Sequence, residues 1–510
     1  MVVRHCVHAF QVRFRITKMG TKKACDGHGS LNYSIIIAIF CILCRFSSFG
    51  NPLINVDEGF YLFVGGDMLH GAIPFVDVWD RKPLGLFIIY AFFHLFGPYR
   101  LWAYQIGALA SVCLTAVVAM KMARCVASAI GALFAALLYV AWLNLAGGEG
   151  GQSPVFYNLL AGCAMLNIVR LISAEKPTQS EIIKKGGMAM LLFGLSLQIK
   201  YTTVFEGCFA GIFLGYILRQ NRFSWGATAR YLLLFAAIAL LPTVLVGGGY
   251  WLCGYGWNWW FANILSIFHR TKEPPAILAH NFMNIMLLIG PLLLNIVLQM
   301  ILCRNRTAVQ RKCAFFFNAW SVCAVIGVFL IGEWYNHYAI PAFLPLSIAS
   351  AALFASPVGR IWLMVLLAAG TVAGQVMVLE NQKNSGNART FHNVLNVISK
   401  EKGCLFIYNG SAIFYDFLPP CKLTDHPFPG HFHSVVENRA TGMDPATEIK
   451  KVLGQNPTYI MAYTPAEPDE NEAVRAILYD RIRQAYMEAY RERQGNGFLV
   501  LYRLDAHHKP

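Results

Sequence analysis

The residues best suited to chemistry stand just after the first apolar segment of this 510-residue chain. Five carboxylates fall between positions 51 and 82, although residues 1–379 contain only 12 acidic residues in all. The five are Asp57, Glu58, Asp67, Asp77 and Asp80, and the cluster closes with Arg81, Lys82 and Pro83. Because charged groups are costly beside lipid, carboxylates gathered where an apolar chain meets water indicate a functional site.

A carboxylate in this position could act as a general base on a hydroxyl group. Asp57 is the leading candidate, with Glu58 beside it. The alternative is that Asp57 only caps the amphipathic helix predicted to follow it. Nearby cations could hold a phosphate group, and Lys82 and Lys200 suit that role. Each lysine could instead extend along the membrane surface toward lipid headgroups.

Further candidates stand in segments predicted to lie on the same side of the membrane. Glu149 is surrounded by glycines, where a backbone can approach a ligand closely, and it is either a second acid or a solvated loop residue. His337 and Tyr338 are either substrate contacts or membrane-interface anchors. Three more charged side chains complete the candidate substrate-binding set: Asp80, Arg81 and Arg270. The aspartate of this set has a simpler interpretation, as a group that orders its own loop.

The elements that position these residues must be membrane helices. Hydrophobic residues make up 56% of the chain and charged residues 14%, a composition typical of polytopic membrane proteins. The net charge of +15 comes from residues 1–379, which have 27 basic against 12 acidic residues, since residues 380–510 have 15 of each. A basic excess can indicate nucleic-acid binding, but the positive-inside rule accounts for this one, so nucleic acid is not an expected partner.

Hydrophobicity predicts eleven membrane spans of roughly 20 residues each. They are 31–49, 101–120, 126–146, 154–173, 186–200, 203–219, 230–249, 281–302, 313–332, 338–355 and 361–379. The apolar segment 83–96 is short for a crossing, and it fits an interfacial helix within a first outer loop, residues 50–100. This assignment places 20 basic residues on one side and six on the other. The positive-inside rule therefore predicts a cytoplasmic leader, residues 1–30, and an extracytoplasmic tail.

The tail, residues 380–510, is predicted to be a small soluble α/β domain. Helical patterns at 391–400, 445–453 and 470–492 alternate with β-like runs at 405–408, 459–462 and 498–502, which is typical of mixed domains. Cys404 and Cys421 are the two cysteines of this segment, and in an oxidising compartment they could pair. Among the other cysteines, the CxxC pair of Cys41 and Cys44 has no second pair to accompany it, so a zinc site is not predicted.

Several motifs resemble a known family. Residues 55–61 (NVDEGFY) and, about 20 residues later, 80–85 (DRKPLG) resemble the first outer loop of membrane glycosyltransferases with the GT-C fold. The similar branch is the protein-O-mannosyltransferase and aminoarabinose-transferase superfamily, including bacterial members of the family-39 type. The run 194–200 (GLSLQIK) resembles that family's lysine at the end of a span. The pair 337–338, followed by prolines at 341 and 345, resembles its late outer loop.

The resemblance implies a role for each matched residue. Asp57 would be the catalytic base with Glu58 supporting it, and Lys82 and Lys200 would meet the phosphate of the donor. Glu149 is the nearest match to a second acid in the outer loop after the third span, although its glycine-rich setting departs from the family pattern. The implied donor is a sugar linked to polyprenyl phosphate, and the implied reaction inverts the anomeric centre. No cofactor is required, and a divalent metal is left open.

The sequence therefore predicts a polytopic α-helical protein of the GT-C type with a small C-terminal α/β domain, located in the inner membrane. Its predicted activity is transfer of a sugar to an acceptor hydroxyl on the extracytoplasmic side. A transporter or flippase of a lipid-linked glycan is the alternative, and it would favour ionisable residues within spans and two symmetric halves. A scaffold protein is a third hypothesis. Neither the sugar nor the acceptor, whether lipid, polysaccharide or protein, follows from the sequence.

Overall fold

A computed structural model describes residues 30–400 and 403–505. The predicted leader lies outside the described residues apart from Ser30, where the first helix begins. The membrane part contains the helices α1 (Ser30–Arg45), α2 (Val56–Leu69), α3 (Leu84–His94), α4 (Arg100–Ala123), α5 (Ala129–Leu143), α6 (Ser153–Ser173), α7 (Gln179–Leu197), α8 (Val204–Gln220), α9 (Trp225–Leu252), α10 (Gly256–Trp260), α11 (Pro275–Leu302), α12 (Ala308–Ile331), α13 (Ile340–Ser350) and α14 (Pro357–Ser385).

Ten helical segments of the described chain are long and apolar enough to cross a membrane. They are Leu31–Ser48, Gly97–Ala123, Ala129–Ala146, Ser153–Ser173, Tyr201–Gln220, Trp225–Leu252, Pro275–Leu302, Ala308–Ile331, Asn336–Ala355 and Pro357–Ile398. Each corresponds to one of the eleven predicted spans. The prediction of a polytopic helical membrane protein is therefore confirmed.

The eleventh predicted span, 186–200, corresponds to α7, which is not among these ten segments. The first turns of α7 carry Glu181, Lys184 and Lys185, and these charges shorten its apolar part. The helix nevertheless packs along α6 and α9. Helix α7 runs antiparallel to α6, from the end of the bundle where α6 ends to the end where α6 begins.

The first outer loop forms two short helices, α2 and α3, rather than a crossing. Helix α3 has 11 residues, too few to span a bilayer, as predicted. The two helices pack closely: a Cβ added at Gly65 of α2 would lie 2.5 Å from the backbone nitrogen of Ala91 in α3. This close contact fixes α2, which carries Asp57, against the helical bundle.

The tail is a small α/β domain, as predicted. It contains α15 (Ala388–Ile398), β1 (Leu405–Ile407), α16 (Ile413–Asp416), α17 (Gly430–His433), α18 (Pro445–Gly454), β2 (Tyr459–Thr464), α19 (Glu472–Ala485), β3 (Tyr486–Gln494) and β4 (Gly497–Leu504). The strands form one sheet in the order β1-β2-β4-β3, with β1 parallel to β2 and the other pairs antiparallel. Helix α14 continues to Ser385, beyond the predicted start of this domain at residue 380.

The predicted helix 470–492 is wrong in its second half. The helix ends at Ala485, and Tyr486 begins strand β3, which pairs with β4 from Tyr486 opposite Leu504 to Gln494 opposite Gly497. Glu488 and Arg491 therefore lie on a strand, where they form an ion pair. Backbone pairing with β4 outweighs the local helical pattern, because β propensity depends strongly on the neighbouring strand.

The sulfur atoms of Cys404 and Cys421 form a disulfide. It joins the residue before β1 to the segment that follows α16. The pairing considered from the sequence is therefore present.

Candidate active site

Asp57 lies in the first turn of α2, and a neighbouring residue caps this helix. The side chain of Asn55 accepts a hydrogen bond from the backbone N–H of Asp57 at 2.9 Å. The hypothesis that Asp57 serves as the cap is therefore wrong. Its carboxylate remains available at the helix N-terminus, where the helix dipole favours negative charge.

Lys82 faces Asp57 across the first outer loop. Its Nζ lies 3.9 Å from Oδ1 of Asp57 and 5.3 Å from the ring centre of Tyr61. Asp80 is buried, and its Oδ1 accepts a hydrogen bond from the backbone N–H of Lys82 at 2.6 Å. Asp80 thus orders the loop, as its simpler interpretation predicted, and by doing so it positions Lys82.

Lys200 reaches the same region from the end of α7. The backbone N–H of Leu86, at the start of α3, donates to the carbonyl of Gln198 at 3.1 Å, so the loop after Lys82 lies directly against the turn that carries Lys200. The Nζ of Lys200 lies 4.8 Å from the ring centre of Tyr338. The structure therefore brings together the first outer loop, the end of α7 and the late loop, as predicted.

His337 and Tyr338 occupy a short 3-10 turn, Asn336–Ala339, that leads into α13. Their rings are in edge contact, with centroids 4.7 Å apart. Tyr338 and Lys200 also line a narrow cavity of about 20 Å³ between α8 and α12, together with Tyr157, Phe205 and Ile331. The pair thus forms one wall of the site beside Lys200.

The charges in this site act strongly on one another. Burial alone would raise the pKa of Asp57, but nearby positive charge, chiefly that of Lys82, outweighs it and holds this pKa below its ordinary value. Burial opposes the charge of Lys82, yet the carboxylates of Asp57 and Asp80 raise its pKa above the ordinary value. The arrangement keeps Asp57 ionised and Lys82 protonated at neutral pH.

Lys200 behaves differently. Burial, reinforced by the positive charge of Lys82, lowers the pKa of Lys200 to about 7. The site therefore contains one permanently charged lysine and one lysine whose charge changes near neutral pH. An anion bound between the two lysines would favour the protonated form of Lys200, because an opposite charge favours the charged form of a group.

Glu58 and Glu149 lie behind Asp57 rather than beside it. Glu58 is fully buried against the loop 147–152: a Cβ added at Gly150 would lie 2.2 Å from its Oε2. Burial raises the pKa of Glu58 to about 8 and also raises the pKa of Glu149. The carboxylate of Glu149 accepts a hydrogen bond from Asn381 of α14 at 2.9 Å. Glu58 is therefore mostly uncharged at neutral pH and adds little negative charge next to Asp57.

Arg81 and Arg270 form a separate cluster with the tail. Both terminal nitrogens of Arg81 bind the carboxylate of Glu437, and Arg270 binds the same carboxylate at 3.0 Å. Burial would raise the pKa of Glu437, but the charges of Arg81 and Arg270 outweigh it and hold this pKa well below its ordinary value. These two candidate substrate-binding arginines are thus paired with a carboxylate of the tail in this structure.

Sequence reasoning missed three residues of this site. Gln152 donates a hydrogen bond to Asp57 at 3.4 Å, Glu437 binds the two arginines, and Arg45 supports the loop that carries Gln152. An arginine at the end of an apolar span was a usable signal for Arg45. No comparable sequence signal marks Glu437, since it stands among other polar residues of a soluble segment.

A divalent metal was left open by the family resemblance, and no zinc site was predicted. Across residues 30–400 and 403–505, no group of three or more His, Cys, Asp or Glu side chains is arranged to hold a metal ion. The positive charge facing Asp57 comes from lysine side chains.

The fold is that of a polytopic helical membrane protein of the GT-C type, which confirms the predicted architecture. The structure is similar to that of ArnT from Cupriavidus metallidurans bound to undecaprenyl phosphate, with a TM-score of 0.56 and 14% sequence identity. The similarity covers 94% of this chain and 99% of that chain. No protein-family model and no curated protein matches the sequence.

Proposed function

We propose that this chain is a membrane glycosyltransferase that uses a sugar linked to polyprenyl phosphate as donor and the hydroxyl group of an acceptor as nucleophile. The observation that carries the proposal is the 3.9 Å approach of Lys82 to Asp57, with Lys200 acting on the same carboxylate. One base and two cations in a partly buried cluster suit the transfer of a sugar away from a phosphate.

In the proposed reaction, Asp57 accepts the proton of the acceptor hydroxyl. The hydroxyl oxygen forms a bond to C1 of the sugar on the face opposite the phosphate. The bond between C1 and the phosphate oxygen breaks, and its electron pair leaves with polyprenyl phosphate. Lys82 and Lys200 hold the departing phosphate, whose developing charge they stabilise. The anomeric configuration is inverted because a single displacement occurs.

The other candidates have supporting parts in this proposal. His337 and Tyr338 form the wall beside Lys200, where they would contact the sugar or the phosphate. Arg81 and Arg270 reinforce the positive field around the phosphate while Glu437 holds them. Glu58 supports the loop that contacts Asp57. The reaction as written requires no metal, because the lysines neutralise the phosphate.

The likeness to ArnT supports the donor class, since that structure is bound to undecaprenyl phosphate. The disulfide between Cys404 and Cys421 supports an extracytoplasmic tail, because disulfides persist in oxidising compartments. The site adjoins this tail, so the reaction is assigned to the extracytoplasmic face of the inner membrane.

The test is transfer of a labelled sugar from polyprenyl-phosphate donors to acceptors in a membrane extract, using detergent-purified protein. We expect transfer with at least one donor and its loss in Asp57→Asn, with the variant inserted and folded normally. Transfer by Asp57→Asn at the wild-type rate would remove Asp57 from the mechanism. A flippase would instead move the intact donor across vesicle membranes and cleave no glycosidic bond.

A further inference from the structure

An arginine buried within the first span binds the loop 147–152. Arg45 is 2% exposed. Its Nη1 donates to the carbonyl of Gly148 at 2.8 Å, and its Nη2 donates to the carbonyl of Gly150. One guanidinium group thus joins two alternate carbonyls of the loop, a geometry that a single-point donor such as lysine cannot reproduce.

The carbonyls between and after these two are also bound from outside the loop. Ser48 donates to the carbonyl of Glu149 at 3.2 Å, and the hydroxyl of Tyr90 donates to the carbonyl of Gly151 at 2.7 Å. Four consecutive carbonyls therefore each accept a hydrogen bond from another part of the chain. A loop bound in this way has little freedom to shift.

The opposite side of the loop faces the catalytic helix. Gly150 packs on the carboxyl group of Glu58, and a Cβ at this position would lie 2.2 Å from its Oε2, so the carboxyl group would have to shift. The next polar residue, Gln152, donates its side-chain N–H to Oδ2 of Asp57 at 3.4 Å. The loop therefore connects Arg45 to the carboxylate proposed as the base.

Stability alone does not explain the position of Arg45. A cation at the C-terminal end of a helix interacts favourably with the helix dipole. An exposed arginine would make the same stabilising interaction without losing its hydration. Burial of a guanidinium group costs free energy even when it is paired, and well-packed apolar residues often replace such groups without loss of stability. A buried charged residue at this position is explained if the reaction depends on the geometry of the loop 147–152.

We propose that Arg45 is a positioning residue for the transfer reaction. By fixing the loop 147–152 it fixes Gln152, and Gln152 orients the carboxylate of Asp57 toward the acceptor hydroxyl. The proposal rests on the proposed function, since it assigns Asp57 as the base. It predicts that Arg45 acts on the chemical step and not on donor binding.

The experiment is a double-mutant cycle between Arg45→Lys and Gln152→Met, with donor transfer followed in detergent. A misplacement of about 1 Å in a catalytic group can cost on the order of 100-fold in rate. We expect each single variant to lower kcat by about 10- to 100-fold while the KM for the donor changes by less than about twofold. We expect the double variant to be no slower than the slower single variant, because both changes act through the same contact.

Asn295→Leu is the control for a general loss of packing. Asn295 is buried in α11, bonded to Ser350 and Trp362, and its loss should lower stability without changing kcat. Multiplicative effects of Arg45→Lys and Gln152→Met, or a kcat of Arg45→Lys equal to wild type, would overturn the inference.

Hydrogen exchange gives a second readout that does not depend on transfer. We expect the amides of residues 148–152 and 55–58 to exchange faster in Arg45→Lys than in wild type, and to stay unchanged in Asn295→Leu. If the wild type transferred no sugar, the proposed function would fail. Unchanged exchange in these two segments of Arg45→Lys would overturn the positioning role whatever the activity.

Discussion

Glu437 binds both terminal nitrogens of Arg81, although 356 residues separate the two in the chain. The same carboxylate binds Arg270. Two backbone contacts lie beside this cluster: Trp79 donates to the carbonyl of Asp425 at 2.7 Å, and Thr271 donates to the carbonyl of Val436 at 3.3 Å. The tail is thereby attached to the two loops that border the site.

Glu437→Gln should loosen this attachment. The change leaves two largely buried guanidinium groups without their counter-charge, and removing one partner of such a pair costs about 3–5 kcal/mol. We expect a lower thermal unfolding midpoint and faster hydrogen exchange at residues 79–82 and 270–273. The matched control is Glu470→Gln, which breaks the pair with Arg475 inside the tail. Equal exchange at both loops in the two variants would contradict the role given to Glu437.

Lys82→Met should slow transfer without unfolding the protein. The methionine keeps the apolar length of the side chain but removes the charge that faces Asp57 and the departing phosphate. Loss of one such electrostatic contact costs about 100- to 1000-fold in kcat. Steady-state kinetics with a saturating donor would measure it, and Lys82→Arg should recover part of the rate. A rate for Lys82→Met within about twofold of wild type would exclude Lys82 from phosphate stabilisation.

The dependence of kcat/KM on pH should reflect the loss of the proton from Lys200. Its pKa is lowered to about 7 by burial, so the free protein loses this charge as the pH rises through 7, and donor capture should fall with it. Lys200→Arg keeps its charge at all these pH values and should move the alkaline limb upward by more than one pH unit. Because the pKa of Asp57 is lowered, the acid limb should lie below the ordinary range of carboxylates. An alkaline limb that is identical in Lys200→Arg would contradict the assignment.

Replacement of Cys404 and Cys421 by serine should destabilise the tail. The disulfide closes a loop with a sequence separation of 17 residues, and a loop of about this length contributes about 3 kcal/mol. We expect a lower unfolding midpoint and faster proteolysis near residues 404–421. Serine replacement at Cys208 and Cys253, which are free and exposed, provides the control and should leave both quantities unchanged.

The sequence predicted which charged residues lie close together, but it did not predict the contacts that position them. Asp57, Lys82 and Lys200 were identified because charged residues at the ends of apolar helices are rare. The order of the spans predicted that these three residues lie on the same side of the membrane. Glu437 could not be identified in this way, since its partners are set by how the tail packs on the membrane part. Strand β3 was missed for a related reason, because its pairing with β4 is not visible in its own residues.

The direction in which helix α1 runs has a practical consequence. Helix α1 begins at Ser30 and ends at Arg45, and Arg45 contacts the loop beside Asp57. The tail lies at this same end of the bundle. Ser30 and Asp505 are therefore at opposite ends. A reporter that fluoresces only in a reducing compartment should give light when fused before Ser30 and none when fused after Asp505, or the reverse, but never the same result at both.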